Sequence, residues 1–234
     1  MTLQLDAVAF DVADASSAAL FYAGLLDRDV ANEAGAALVQ GDRTQVGLRF
    51  VTSDRRRLGR PRVHLHLTSS SLANQQRTVA KALRLGGRHL DVGQSGTEGF
   101  VVLADPEGGE LCVIEPGNRY LAGTGYLGEV TCAGTRNVGL FWRDALGWRL
   151  VWDEGEQTAI QSSLGGTKIA WDTWDGPPPE PRDPTNRERF DLVSTQLTED
   201  VERLLSLGAT RGDRLPDGVQ LVDPDGNQFR VRLS

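Results

Sequence analysis

The chain has 234 residues, 39% apolar and 24% charged, with a net charge of -7 from 25 basic and 32 acidic side chains. That balance fits an ordinary globular protein of one large or two medium domains. It argues against nucleic-acid binding, which needs clustered positive charge, because the one dense basic run, Arg55-Arg56-Arg57, reads as a solvated loop.

No apolar run approaches the roughly 20 residues that span a bilayer, so no membrane association is expected. The opening residues, Met1 to Asp6, have neither the basic start nor the apolar block of a signal peptide. Cys112 and Cys132 both sit in strand-like stretches, too few and too far apart for a disulfide framework or zinc knuckle. The expectation is a cytoplasmic protein with two buried free thiols.

Along the chain, the first segment alternates as a strand. Val8, Phe10 and Val12 point one way, and Ala7, Ala9 and Asp11 the other. Asp14 then caps a helix whose apolar stripe is Ala18, Phe21, Tyr22 and Leu25. Short strands follow near 37–40 and 45–51, joined by a Gly41-Asp42 turn, and a polar stretch runs from Ser53 to Pro61. The pattern then restarts. A strand at 63–67 leads to a helix at 72–85 that stops at Gly86, followed by strands at 100–104 and 110–115. Between the last two, Asp105-Pro106-Glu107-Gly108 fits a type I turn.

The second half repeats the first. Leu20-Phe21-Tyr22 returns as Leu140-Phe141-Trp142, 120 positions later, each followed by a leucine, Leu26 and Leu146. Asp105-Pro106-Glu107-Gly108 returns as Asp223-Pro224-Asp225-Gly226, and Leu85-Gly86 as Leu207-Gly208. The expected organisation is a domain at 1–117, a linker at 118–125 and a domain at 126–234. Each copy holds a strand-helix-strands module twice. In the second copy the break between modules falls at 176–184, which contains five prolines.

Leu85-Gly86 followed by Val101-Val102-Leu103-Ala104-Asp105-Pro106-Glu107-Gly108-Gly109-Glu110-Leu111-Cys112-Val113 resembles the closing segment of a glyoxalase-like domain. Leu207-Gly208 with Leu221-Val222-Asp223-Pro224-Asp225-Gly226-Asn227-Gln228-Phe229 resembles it equally, and so do the Phe-Tyr and Phe-Trp helices. The chain is thus similar to the vicinal-oxygen-chelate superfamily of glyoxalases, bleomycin-resistance proteins and extradiol dioxygenases. The resemblance implies an α+β fold of two tandem glyoxalase-like domains, each of paired βαβββ modules forming a half-open barrel around a cleft.

It also implies a divalent metal in that cleft, with ligands from the first strand, the first strand of the second module and the last strand. In the first copy those positions are Ala7, His64 and Glu115, so one ligand is missing. His66, two residues along from His64 on the same face, either completes a two-histidine, one-carboxylate set with Glu115 or simply lines the cleft. Iron, zinc, manganese or nickel would suit such a set. In the second copy the positions are Leu127 or Gly128, Arg189 and Leu233, which hold no metal. There Glu129, Thr131, Arg189 and Asp191 are expected to face a second cleft, with Arg189 either an anion clamp or part of a self-neutralising pair.

Ala7 and Ala9 give the first cleft a small-residue face. All five tryptophans lie in the second copy. Trp142 belongs to a helix stripe, while Trp152, Trp171 and Trp174 either line a cleft for a flat organic ligand or pack in the core. A nucleophile-base system has only His64, His66 and His89 to draw on.

The expected function is small-molecule binding of the glyoxalase/bleomycin-resistance type, in a cleft of one or both domains and without the usual metal triad. The alternative is a metal-dependent lyase, isomerase or dioxygenase with its site in the first domain. A further alternative makes the second copy a degenerate partner that completes the assembly. The partner is a small molecule, and the chain is a monomer or a homodimer.

Overall fold

Alternation and helix stops in the sequence translate into four βαβββ modules. In the computed structural model, residues 2–54, 61–173 and 187–234 are described; Arg55-Arg56-Arg57, Trp174 and the proline-rich break at 176–184 lie outside them. The first module is β1 (Leu3–Val12), α1 (Ala15–Leu26), β2 (Val30–Glu33), β3 (Ala36–Val39) and β4 (Gly47–Thr52). The second is β5 (Val63–Leu67), α2 (Leu72–Arg84), β6 (Arg88–His89), β7 (Val101–Ala104) and β8 (Glu110–Val113). The third is β9 (Leu127–Ala133), α3 (Arg136–Leu146), β10 (Arg149–Glu154), β11 (Gln157–Gln161) and β12 (Lys168–Asp172). The fourth is β13 (Glu188–Ser194), α4 (Leu197–Ser206), β14 (Thr210–Leu215), β15 (Gly218–Val222) and β16 (Gln228–Leu233).

Local chemistry sets the helix limits. The Asp14 carboxylate accepts from the Ser16 and Ser17 amides at the start of α1, and the Thr135 hydroxyl accepts from the Val138 amide at the start of α3. Each repeated Leu-Gly stop ends its helix in left-handed backbone, with φ of 102° at Gly86 and 112° at Gly208, where glycine carries no Cβ penalty.

The modules do not pair within a copy. The sheet order β14-β15-β16-β13-β1-β4-β3-β2 joins the fourth module to the first, and β10-β11-β12-β9-β5-β8-β7-β6 joins the third to the second. The seams are the antiparallel pairs β1–β13 and β5–β9. Each open eight-stranded sheet therefore draws one half from each copy. The inner modules, second and third in the chain, thus share one sheet, and the outer modules, first and fourth, share the other.

One continuous apolar cluster takes in residues from both sheets and all four helices, among them Val8, Phe50, Leu65, Val130, Trp142, Phe190 and Phe229. Strand alternation puts the other face of each sheet, with its polar side chains, away from that core. Among the described residues no helix is long and apolar enough to cross a membrane.

The repeated motifs meet in space. The Tyr22 hydroxyl donates to Asp105 Oδ2 at 2.8 Å, and the Gly109 amide donates to Asp105 Oδ1 at 2.6 Å. In the second copy Trp142 Nε1 donates to Asp223 Oδ2 at 3.2 Å, and the Asn227 amide donates to Asp223 Oδ1 at 2.8 Å. The aromatic helix of one module thus anchors the Asp-Pro turn of the next, tying the two sheets together inside each copy.

That anchor gives a direct expectation. Tyr22→Phe removes a donor from a buried carboxylate and should cost about 1–3 kcal/mol in urea unfolding. Leu20→Ala, on the same helix but 66% exposed, should stay within about 0.5 kcal/mol of the parent.

Candidate metal centre

The segment Val-His-Leu-His-Leu of β5 alternates perfectly. Val63, Leu65 and Leu67 enter the core, so His64 and His66 share the opposite face. The antiparallel seam sets Thr131 across from His64 and Glu129 across from His66. On the other side, parallel pairing with β8 sets Cys112 beside His66. Three strands from two copies therefore converge on one spot.

There the Nε2 atoms of His64 and His66 are 3.0 Å apart. One ligand atom each from His64, His66 and Cys112 lies within 4.8 Å of the others. On its far side His66 Nδ1 is held by Glu129 Oε2 at 2.8 Å. Glu129 is itself braced: Tyr120 donates to Oε1 at 2.5 Å and Thr131 to Oε2 at 3.0 Å. The Lys168 ammonium sits 4.0 Å from the centre of the Tyr120 ring and donates to the Tyr120 carbonyl. Trp152 packs edge-on against Tyr120, with centroids 5.5 Å apart.

The electrostatics are mutually consistent. Burial pushes the His66 imidazolium down, but the bonds to Cys112 and Glu129 outweigh it and raise His66 to about 10. Burial pushes Glu129 up, and the contacts from His66, Tyr120 and Thr131 bring it below the usual carboxylate range. Tyr120 is raised by burial and by the Glu129 charge, so it stays a donor. Burial lowers Lys168, opposed by Glu129.

The donor set suits a borderline divalent cation. Two imidazoles and a thiol match zinc, iron(II), cobalt or nickel better than the oxygen-seeking magnesium or calcium. A carboxylate on the second ring nitrogen of a ligating histidine is the usual outer support for such a centre, because it fixes the tautomer and the ring orientation.

The expected site residues are distributed as follows. His64 and His66 meet; Glu115 does not join them. Leu111 and Val113 belong to the main core, whereas Cys112 and Ile114 belong to a small apolar cluster with Val102 and Leu121. Glu115 falls past the end of β8, accepts from Asn118 at 2.9 Å, and lies against Gly99. Ala7 and Ala9 are wholly buried on β1, in the other sheet. The second cleft expected from copy two divides: Glu129 and Thr131 are on β9, while Arg189 and Asp191 are on β13 of the first sheet. The reason is the cross-copy pairing, which separates the two modules of each copy. Trp171 is a core residue at 2% exposure, packed near Phe190, whereas Trp152 is 38% exposed beside the site.

Cys112, Tyr120 and Lys168 were not singled out as site residues by sequence. Cys112 is readable from strand parity in 110–115, but only once β8 is known to run parallel beside β5. Tyr120 comes from the linker, where no periodicity marks it.

A family model for a glyoxalase-like domain matches residues 7–114 and again residues 129–232. A search of curated proteins gives no match. Among solved structures, glyoxalase I from Zea mays is similar at a TM-score of 0.70 and 12% identity, over 98% of this chain and 92% of that one. A putative dioxygenase from Bacillus subtilis is similar at 0.60 and 14% identity, over 99% of this chain and 85% of that one. At these identities the likeness bears on the fold.

The His66–Glu129 pair sets a pH window for the metal-free protein. A raised His66 stabilises fully below 6.5, its ordinary value, and that contribution is lost as pH climbs toward about 10. A lowered Glu129 stabilises fully above 4.5 and loses its contribution as pH falls. Chelator-treated protein should therefore hold this contribution in full between 4.5 and 6.5. In His66→Gln the alkaline decline in melting temperature should flatten.

Proposed function

We propose that this chain, which belongs to the glyoxalase-like domain family along both of its halves, is a metal-assisted enzyme acting on a small molecule with paired oxygens. The reaction class is a lyase, an isomerase or a dioxygenase. The observation that carries this reading is the convergence of His64, His66 and Cys112 within 4.8 Å, with Glu129 gripping the far nitrogen of His66.

The expectation of a binder without metal rested on ligands lost in both copies, Ala7 among them, on the small face at Ala7 and Ala9 and on the clustered aromatics. Cys112 offers the missing donor from a different strand, so three donors are available without Ala7 or Glu115. A cation held by them would supply Lewis-acid polarisation of the substrate's oxygens. The chain's own residues do the rest. Glu129 keeps the His66 ring oriented and is too fully engaged, by His66, Tyr120 and Thr131, to leave its post. The small apolar cluster beside Cys112, with Val102, Ile114 and Phe100, excludes water on one side of the site. Lys168, its pKa brought down by burial, holds a proton at Nζ beside Tyr120.

One observation favours a second reading, small-molecule binding with no metal. An imidazolium at His66 satisfied by Glu129 and Cys112 is a complete charge arrangement in itself. The face around His66 then recognises a ligand by charge and shape alone.

Cobalt(II) titration of chelator-treated protein separates the two. The metal reading predicts one equivalent bound with a near-ultraviolet thiolate-to-cobalt band, absent in Cys112→Ser and in Cys112→Ala. Weak binding without that band, identical in Cys112→Ser, would leave the metal-free reading.

A further inference from the structure

The matching face of the first sheet carries arginines where the second carries donors. The methyl side chains of Ala7 and Ala9 keep β1 low on this face. Arg49, from β4, reaches across it to Asp191 on β13 at 2.9 Å. It also bonds Glu33 and Asp6, each at 2.8 Å, so a guanidinium ringed by three carboxylates fills this part of the face.

Arg49 is paired at all three of its nitrogens; its neighbours are not. Arg189 is 6% exposed, and only its Nη1 is hydrogen-bonded, to Asp11 at 2.7 Å. Its Nε lies 3.4 Å from Asp191, and Nε and Nη2 are both buried without a hydrogen-bond partner. Arg230, half-buried on β16, is registered beside Asp191, and its Nε is likewise buried without one. Burial first, and then the charge of Arg189, hold Arg230 below the ordinary guanidinium range. Arg189 thus bears on Arg230 electrostatically, with Asp191 beside both, and each guanidinium keeps a buried donor unfilled. Leaving buried donors unpaired is costly, more so when they are charged.

We infer that Arg189 and Arg230 form a binding site for an oxyanion, the carboxylate or phosphate group of a small ligand, on the first sheet and separate from the His64–His66–Cys112 cluster. A planar or tetrahedral oxyanion offers several acceptors to the Arg189 Nη2 and Arg230 Nε donors and brings negative charge between two cations. Asp11 and Asp191 hold the Arg189 fork in place for it. Arg49, held by its three carboxylates, walls one side. The site does not depend on a metal.

The test follows the melting temperature of chelator-treated protein against inorganic phosphate and, separately, acetate, with chloride holding ionic strength constant. Wild type should show a saturable rise with at least one of the two. A response to phosphate alone assigns a phosphate group, and a response to both assigns a carboxylate as well. Arg230→Gln, which removes a half-exposed side chain and should fold, should weaken the response at least about tenfold. Arg189→Lys should weaken it similarly, and His66→Ala should leave it unchanged. No saturable response in wild type, an unaltered response in Arg230→Gln, or a response lost in His66→Ala would each overturn the inference.

Discussion

The antiparallel seam between β5 and β9 is the contact on which the site depends. Four cross-strand neighbours along it, His64 with Thr131 and His66 with Glu129, come from different copies of the repeat. Neither copy alone supplies an imidazole together with the carboxylate that orients it. The connection between β8 and β9 contributes Tyr120, whose hydroxyl closes the circle on Glu129. A one-residue slip would send His64 and His66 into the core and Leu65 outward, so the apolar alternation of β5 fixes the register of the site along with that of the sheet.

Duplication has left two equivalent faces with opposite chemistry. On the second sheet, imidazoles and a thiol sit near one buried carboxylate, a set of soft donors with an acid to steady them. On the first, alanines on β1 leave space that Arg49 fills, and the carboxylates Asp6, Glu33 and Asp191 that a cation would attract are already taken by it. The protein therefore has one face suited to coordinate a metal and one built around fixed guanidiniums. Burial sharpens both, since the low dielectric strengthens satisfied pairs and penalises unsatisfied ones alike.

Much of this was legible in the sequence. The repeats at Phe21-Tyr22 and Asp105-Pro106, mirrored at Phe141-Trp142 and Asp223-Pro224, mark the four modules, and the structure explains why they travel together: Tyr22 bonds Asp105 and Trp142 bonds Asp223. Strand alternation also put His64 and His66 on one face. What a single strand's pattern does not carry is its neighbour. Glu115 was paired with the histidines by its place at the end of the last strand of copy one, yet the side chain registered beside His66 is Cys112. Arg189 and Asp191 were grouped with Glu129 by copy, and the sheets group by module instead. Local periodicity fixes faces; partners are set by long-range pairing that chain order did not reveal.

On this proposal Cys112 completes the ligand set begun by His64 and His66. The decisive measurement is the metal content of wild type, Cys112→Ala and Glu115→Ala, each purified without chelator or metal-affinity steps. Wild type should carry near-stoichiometric zinc, iron, cobalt or nickel, retained in Glu115→Ala and lost in Cys112→Ala. Metal retained in Cys112→Ala but lost in Glu115→Ala would rule out Cys112 as the third ligand, as would wild-type protein that neither carries metal nor takes it up on reconstitution.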